Sequence, residues 1–215
     1  MKSPFTIKLQ AGVLIAGELI LLVTSALWED LDSSAQWPIW LYIILFATGG
    51  YALAGNRRWL TTYLCASLSA LLLASIEGSK ICNIISTACF AVAFVLLFQA
   101  VIGHCFSKKD VSQADRILGG IAGYLLLGFF WASQSNWAVM LTPDAFLNLR
   151  TEQPTSHSEQ IYYCYVTLTG LGYGDIVPTT AVARITAVFN CLSGVLYLAV
   201  FISALVGRLS KKHRA

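Results

Sequence analysis

Residues 160–178 of the chain read QIYYCYVTLTGLGYGDIVP, and this stretch holds the most specific pattern in the sequence. Glycine alternates with a larger residue at positions 170, 172 and 174. Because glycine adopts positive φ without steric cost, such a segment can switch between left- and right-handed dihedral angles at successive residues. The pattern predicts an irregular strand that directs successive carbonyl oxygens to one side, which neither a helix nor a β-strand does.

The chain around this stretch is strongly apolar. Of its 215 residues, 57% are apolar and 12% are charged, about half the ~25% of charged residues in a typical soluble domain. Six apolar runs are each long enough to approach the ~30 Å of a bilayer core, and lipid favours helices there because backbone groups must be hydrogen-bonded internally. This composition excludes a soluble enzyme, a disordered tail and a nucleic-acid-binding protein. The six runs are Ala11–Leu27, Pro38–Ala54, Trp59–Ile76, Ile81–His104, Ile117–Leu141 and Ala181–Leu209.

A seventh apolar stretch, Gln160–Leu171, is too short to cross the membrane and is predicted to be re-entrant. A helix is expected over His157–Thr169, which includes most of this stretch. The polar region before it, Thr142–Gln160, is predicted to form an outer turret. We therefore expect an all-α membrane protein with six transmembrane helices, a short re-entrant helix and a glycine-rich loop. The predicted parts are a four-helix bundle (1–107), an inner connector (108–116), a domain of two spans around the re-entrant helix (117–209) and a basic tail (210–215). The connector is either a solvated loop or a helix lying on the inner headgroups.

The placement of basic residues predicts the orientation of the spans. With the N-terminus inside, eleven of the fourteen Lys and Arg residues lie on the inner side, and only Lys80, Arg150 and Arg184 lie outside. This asymmetry follows the positive-inside rule. We expect a multi-pass protein of the plasma membrane with both termini in the cytoplasm, from a prokaryotic inner membrane given the short chain. An alternative for the first run is a cleaved signal peptide, although it contains Glu18 and lacks a clear cleavage site.

A single row of unpaired carbonyl oxygens would be costly to bury. Four such rows around an axis form stacked oxygen cages that replace the hydration shell of a monovalent cation. The re-entrant helix adds about −0.5 charge at its C-terminal end, which favours a cation in the same place. The sequence therefore predicts a homotetramer in which each chain supplies a quarter of the site.

The stretch resembles the filter of the potassium-channel pore family, which reads T-V-G-Y-G followed by Asp. Residues 171–175 match it with valine replaced by leucine, and Tyr162 and Tyr163 take the aromatic-cuff positions that support the filter. The resemblance implies that K⁺ is the permeant ion and that backbone carbonyls alone hold it, with no other metal or cofactor. It also places Asp175 at the outer mouth. The implied filter residues are Thr169, Gly170, Leu171, Gly172, Tyr173 and Gly174.

Two positions depart from the family pattern. Gly170 replaces the filter threonine, so the innermost ion site lacks its ring of hydroxyl oxygens, for which Thr169 is a partial substitute. Val166 stands where some members carry a glutamate behind the filter. The first departure leaves a weakly selective or non-selective cation channel as the alternative to a potassium-selective one.

Gating is less clearly encoded. A voltage sensor needs regularly spaced basic residues in the fourth span, and no Arg or Lys occurs from Ile81 to Ser107, so little voltage dependence is expected. Six residues follow Leu209, too few for a cytosolic ligand-binding domain. The basic tail is an inner anchor or a contact for anionic membrane lipids. Gly194 takes the family's hinge position in the inner helix, and close packing is its alternative role.

Glu18 is the one acidic residue inside a predicted span. It is either a proton-sensing group or a protonated, hydrogen-bonded structural one, and the sequence favours neither. The six cysteines show no CxxC spacing and are interpreted as packing residues. A transporter would show inverted repeats and an intramembrane hydrolase would show a catalytic motif; the sequence has neither.

Overall fold

The computed structural model describes residues 4–31, 47–49, 57–74, 80–106, 113–204 and 207. Helices dominate this part of the chain, with three short strands between the fourth and sixth helices. The elements in order are α1 (Pro4–Leu31), α2 (Arg57–Ala74), α3 (Lys80–Cys105), α4 (Gln113–Leu141), β1 (Phe146–Asn148), β2 (Gln153–Pro154), α5 (His157–Thr169), β3 (Ile176–Pro178) and α6 (Ala181–Leu196). A six-residue π-helical segment, Tyr197–Ile202, continues α6. We call α4 the outer helix, α5 the pore helix and α6 with this segment the inner helix.

Three of the described helices are long and apolar enough to cross a membrane: Ile84–Cys105, Gln113–Leu141 and Ala181–Ile202. They overlap the fourth and sixth predicted spans, Ile81–His104 and Ala181–Leu209, and contain the fifth, Ile117–Leu141. The first and third predictions fall on α1 and α2, whose apolar helical segments, Gly12–Ser25 and Leu60–Ala70, are shorter. The second prediction, Pro38–Ala54, lies outside the described residues except for a helical turn at 47–49. The chain is a helical membrane protein.

The bundle helices pack beside the pore elements. The α3 helix contacts both α2 and the outer helix, and α1 contacts the outer helix with a smaller contact to the pore helix. Apolar side chains from all of these elements form one buried cluster, which includes Leu14, Leu97 and Leu126. A hydrogen bond of 2.8 Å from Ser86 Oγ to the Ala70 carbonyl also joins α3 to α2. The cluster is thus continuous from the first helix to the pore region.

Hydrogen bonds join the C-terminal end of α3 to the N-terminal end of the outer helix. The Arg116 guanidinium donates a hydrogen bond to the Cys105 carbonyl, and Cys105 Sγ donates to the Arg116 carbonyl at 3.5 Å. The outer helix begins at Gln113, so the last residues of the predicted connector are helical. Residues 107–112, the rest of that connector, lie outside the described part.

The turret contains a small antiparallel sheet in the strand order β2-β1-β3. The central strand, β1, pairs with β2 through Leu147 opposite Pro154, and with β3 through Leu147 opposite Val177. The sequence analysis predicted a polar turret without strands. Strands of two or three residues carry too little periodicity to be recognised in the sequence. The sheet is completed by β3, which follows the glycine-rich segment in the chain, and such short strands need partners to be stable.

Candidate ion-conducting site

The pore helix runs over His157–Thr169, the range expected from the sequence, because both of its ends are capped. At the start, Ser156 Oγ accepts a hydrogen bond from the Glu159 N–H, and the Glu159 carboxylate accepts one from the Ser156 N–H. This reciprocal capping box satisfies two of the N–H groups that a helix start leaves unpaired. At the end, Gly170 is left-handed with φ 77° and donates to the Thr167 and Val166 carbonyls. The negative end of the helix therefore points at the start of the glycine-rich segment.

The glycine-rich segment has the alternating backbone that the sequence predicted. Gly170, Gly172 and Gly174 have φ of 77°, 58° and 76°. Among the described non-glycine residues only Glu152 has a positive φ. Leu171 and Tyr173, which lie between the glycines, therefore have negative φ. A Cβ built at any of the three glycines would meet no atom within 4 Å, so conformation rather than crowding requires glycine here.

Asp175, directly after this segment, is held by three contacts. Its carboxylate accepts hydrogen bonds from the Tyr162 hydroxyl at 2.9 Å and from the Ile176 N–H at 3.1 Å. Its backbone carbonyl accepts one from the Leu149 N–H in the turret at 2.8 Å. The pore helix therefore holds the carboxylate beside the C-terminal end of the glycine-rich segment, and the turret holds the backbone of the same residue.

The remaining predicted support residues lie behind the segment. Tyr163 is 8% exposed, and its ring centroid is 5.1 Å from that of Phe146 in the turret. Val166 is also buried, and its carbonyl accepts a hydrogen bond from the Leu171 N–H at 3.0 Å. The Thr169 hydroxyl donates to the Tyr165 carbonyl at 2.8 Å, so its proton is used within the helix. Tyr162 and Tyr163 thus face different partners, Asp175 and Phe146.

The inner helix contacts the pore helix through two residues one turn apart. Asn190, 1% exposed, donates a hydrogen bond from Nδ2 to the Cys164 carbonyl at 3.0 Å. A Cβ built on Gly194 would lie 2.0 Å from the Leu168 carbonyl oxygen, so Gly194 packs directly on the pore-helix backbone. The predicted hinge at this glycine stays a prediction. Sequence reasoning missed Asn190, although a lone amide among apolar residues of a span was the available signal.

Three tyrosine hydroxyls tie the outer helix to the pore and inner helices, and the sequence analysis missed all three. Tyr165 donates to the Leu125 carbonyl at 2.6 Å, Tyr197 to the Gly120 carbonyl at 2.6 Å, and Tyr124 to the Leu168 carbonyl at 3.3 Å. Glycines of the outer helix leave room for two of the rings: a Cβ on Gly128 would lie 2.3 Å from the Tyr165 ring, and one on Gly123 would lie 2.6 Å from the Tyr197 hydroxyl. The spacing of these glycines was the available signal.

Glu18 is fully buried in α1. Neither of its carboxylate oxygens has a hydrogen-bond partner among the described residues. Its two predicted roles, proton sensor and structural group, stay predictions. Glu18 lies on α1, the helix that contacts the outer and pore helices.

Comparison with known proteins adds to this geometry. Residues 119–211 match the family model described as "Ion channel". Across 95 residues, the chain is 33% identical to "Two pore potassium channel b" of Oryza sativa subsp. japonica, an alignment covering 44% of this chain and 24% of the relative. Two longer alignments of 130 residues cover 55% of this chain. They give 34% identity to "Potassium voltage-gated channel protein Shal" of Drosophila melanogaster, 22% of which is covered, and 40% identity to human "A-type voltage-gated potassium channel KCND3", 19% of which is covered.

The chain spans about a quarter or less of the length of these relatives. No solved structure gives a significant match. The matched residues include the outer helix from residue 119 onwards, the pore helix, the glycine-rich segment and the inner helix. These matches support the potassium-channel pore family for residues 119–211, the part of the chain that carries the glycine-rich segment.

Proposed function

We propose that the protein is a potassium channel in which four identical chains surround one filter. The observation that carries the proposal is the alternating backbone at residues 170–174, which begins at the capped end of a re-entrant helix. In this proposal the carbonyl oxygens of residues 169–174 replace the hydration shell of K⁺, as in filters built from backbone carbonyls. The four Asp175 carboxylates raise the local concentration of cations at the outer mouth.

Two exposed surfaces support the tetramer. Leu171 and Tyr173 of the filter segment are 59% and 65% exposed in the single chain. The inner helix also leaves one apolar stripe open, formed by Val182, Ile185, Phe189, Leu192 and Leu196. An apolar surface of this extent needs a protein or lipid partner. Neighbouring copies around a central axis would cover the filter and part of this stripe.

The rest of the proposal concerns the membrane around the pore. Six spans with cytoplasmic termini agree with the distribution of basic residues. The four-helix bundle (1–107), the connector (108–116), the pore domain (117–209) and the basic tail (210–215) are its parts. The tail binds anionic lipids at the inner surface, since clustered Lys and Arg are attracted to a negative leaflet. A prokaryotic inner membrane is the proposed location.

Potassium selectivity is favoured over a non-selective pore by the names of the relatives, all potassium channels. Gly170 removes the hydroxyl ring of the innermost site. The remaining carbonyl cages at residues 170–174 are unchanged by that replacement, because they use backbone oxygens.

The test uses purified full-length protein in liposomes. We expect uptake of ⁸⁶Rb⁺ into K⁺-loaded liposomes, and a reversal potential under bi-ionic K⁺ and Na⁺ conditions that lies close to the K⁺ equilibrium potential. Gly172→Ala serves as the matched inactive variant, because alanine at a φ of 58° is strained. A monomer after mild extraction, or liposomes without cation flux, would contradict the proposed channel. A reversal potential near zero would instead support the non-selective alternative.

A further inference from the structure

We propose that the turret sheet braces the outer end of the filter, and that Asn148 is the positioning residue that fastens this brace to the pore helix. The proposal rests on the channel function proposed above and extends it to residues outside the filter motif. We call residues 144–155, which carry β1 and β2, the turret brace.

The brace pairs through its backbone with the segment that leaves the filter. Strand β1 pairs antiparallel with β3, with Asn148 opposite Ile176. At one end of the pairing, the Leu149 N–H donates to the Asp175 carbonyl at 2.8 Å, and at the other the Thr179 N–H donates to the Ala145 carbonyl at 2.9 Å. The turret therefore holds the backbone of Asp175, the residue after the last filter glycine, while the Tyr162 hydroxyl holds its carboxylate.

The brace itself is anchored on the pore helix by an apolar contact. Strands this short are not stable alone, but Phe146 is only 1% exposed and packs its ring on Tyr163 of the pore helix. Ala145 and Ile176 are buried beside it. This apolar contact holds the brace against the pore helix, but by itself it does not determine at which point along the helix axis the brace lies.

Asn148 supplies that missing constraint. Its side chain is 9% exposed, and its Nδ2 donates a hydrogen bond to Glu159 Oε1 in the first turn of the pore helix. Its Oδ1 accepts a hydrogen bond from the Arg150 N–H at 2.8 Å, which fixes the amide orientation. The other carboxylate oxygen of Glu159 accepts from the Ser156 N–H at 2.8 Å. One buried amide thus joins the brace to the cap of the pore helix, by a charge-assisted bond.

A short path of contacts therefore connects the pore-helix start to the filter exit. It runs from Glu159 through Asn148 and the adjacent Leu149 N–H to the Asp175 carbonyl. Carbonyl cages repel one another unless cations lie between them, so an empty filter tends to distort. Loss of the Asn148 bond is expected to let Asp175 move more easily, so that the filter needs more K⁺ to stay conducting.

The test compares the K⁺ dependence of current in liposomes for four forms of the full chain. Asn148→Asp places a carboxylate against that of Glu159. It is expected to raise the external K⁺ concentration for half-maximal sustained current by about fivefold, the factor that corresponds to one net hydrogen bond. Asn148→Asp combined with Glu159→Gln restores the pair with the donor on the opposite side, and should return the K⁺ dependence to that of the wild type. Thr151→Ala, in the exposed turn of the same turret, is the matched control.

Each result distinguishes the brace from the channel function. If the wild type carries no cation flux, the proposed channel function is wrong, whatever the variants do. If the wild type conducts and Asn148→Asp has the same K⁺ dependence, or if Thr151→Ala shifts it equally, the brace is overturned. Should Asn148→Asp fail to assemble, the double variant decides: assembly with wild-type K⁺ dependence supports the brace, and its failure refutes it.

Discussion

The α-carbon of Gly194 in the inner helix lies against the carbonyl oxygen of Leu168 in the pore helix, where an added methyl group would be only 2.0 Å from that oxygen. The atom that it meets belongs to the backbone of a capped helix, so it cannot turn aside as a flexible side chain would. Close packing is therefore sufficient to require glycine at this position, whether or not the helix also bends there.

This contact predicts the effect of Gly194→Ala. The inner helix must move away from the pore helix by a fraction of a helix radius, which we expect to cost about 1–3 kcal/mol, the usual range for overpacking. The measurement is the midpoint of thermal unfolding in detergent. Gly103→Ala in α3 is the control, because a Cβ there meets nothing within 4 Å. Equal midpoints for the two variants would contradict the packing role.

Gly170→Thr would return the family's threonine to the filter, and its hydroxyl would be expected to sharpen selectivity. The structure predicts another outcome, because Gly170 has a φ of 77° and a β-branched residue is strained there. We expect Gly170→Thr to lower the unfolding midpoint and the flux. Gly170→Asn should be milder, since asparagine tolerates the left-handed region. Normal stability with sharper selectivity for the threonine variant would show that the segment adapts.

Two substitutions of Asn190 are predicted to have very different effects on stability. Its Oδ1 is buried without a hydrogen-bond partner among the described residues, while Nδ2 donates to a carbonyl of the pore helix. Asn190→Leu removes both groups at similar volume, so we expect stability within about 1 kcal/mol of the wild type. Asn190→Asp leaves an acceptor facing the Cys164 carbonyl and should be strongly destabilising. Chemical denaturation of the two variants in detergent compares them, and a leucine variant less stable than the aspartate variant would contradict this account.

His157, the first residue of the pore helix, predicts how stability changes with pH. Burial lowers its pKa from 6.5 to about 4, and the positive end of the helix acts in the same direction. The unfolded chain thus binds a proton at higher pH than the folded one, so folded-state stability falls as pH decreases from about 6.5 towards 4. The unfolding midpoint measured from pH 7.5 to 4.5 should fall less steeply for His157→Gln. If the unfolding midpoints of the wild type and His157→Gln fall equally steeply with decreasing pH, His157 does not cause the pH dependence of stability.

The last prediction concerns voltage. Helix α3 carries the fourth predicted span, where a voltage sensor would need its charges, but after Lys80 it contains no Arg or Lys. One elementary charge that crosses the field contributes about 2.3 kcal/mol per 100 mV, so without such charges the conductance should change little with voltage. Single-channel recording in symmetrical K⁺ measures this dependence. A steep Boltzmann curve would require gating charges elsewhere in the chain.

Local chemistry made part of this protein predictable from its sequence. The ends of the pore helix follow from Ser156, Glu159 and Gly170, which act on backbone groups within four residues. The handedness of the filter segment follows from its three glycines, because positive φ is a property of a single residue. The long apolar runs likewise predicted membrane helices without reference to any partner.

Tertiary structure alone decided which distant residues meet. Three contacts join residues that are 26 to 40 positions apart in the chain. They are the strand pairing of Asn148 with Ile176, the hydrogen bond of Asn190 to Cys164 and that of Tyr165 to Leu125. The paired strands are also too short to recognise in the sequence. A lone asparagine or tyrosine in an apolar run carries no information about its partner, because that partner is chosen by how the helices pack. Propensity acts over a few residues, whereas these contacts exist only once the outer, pore and inner helices have come together.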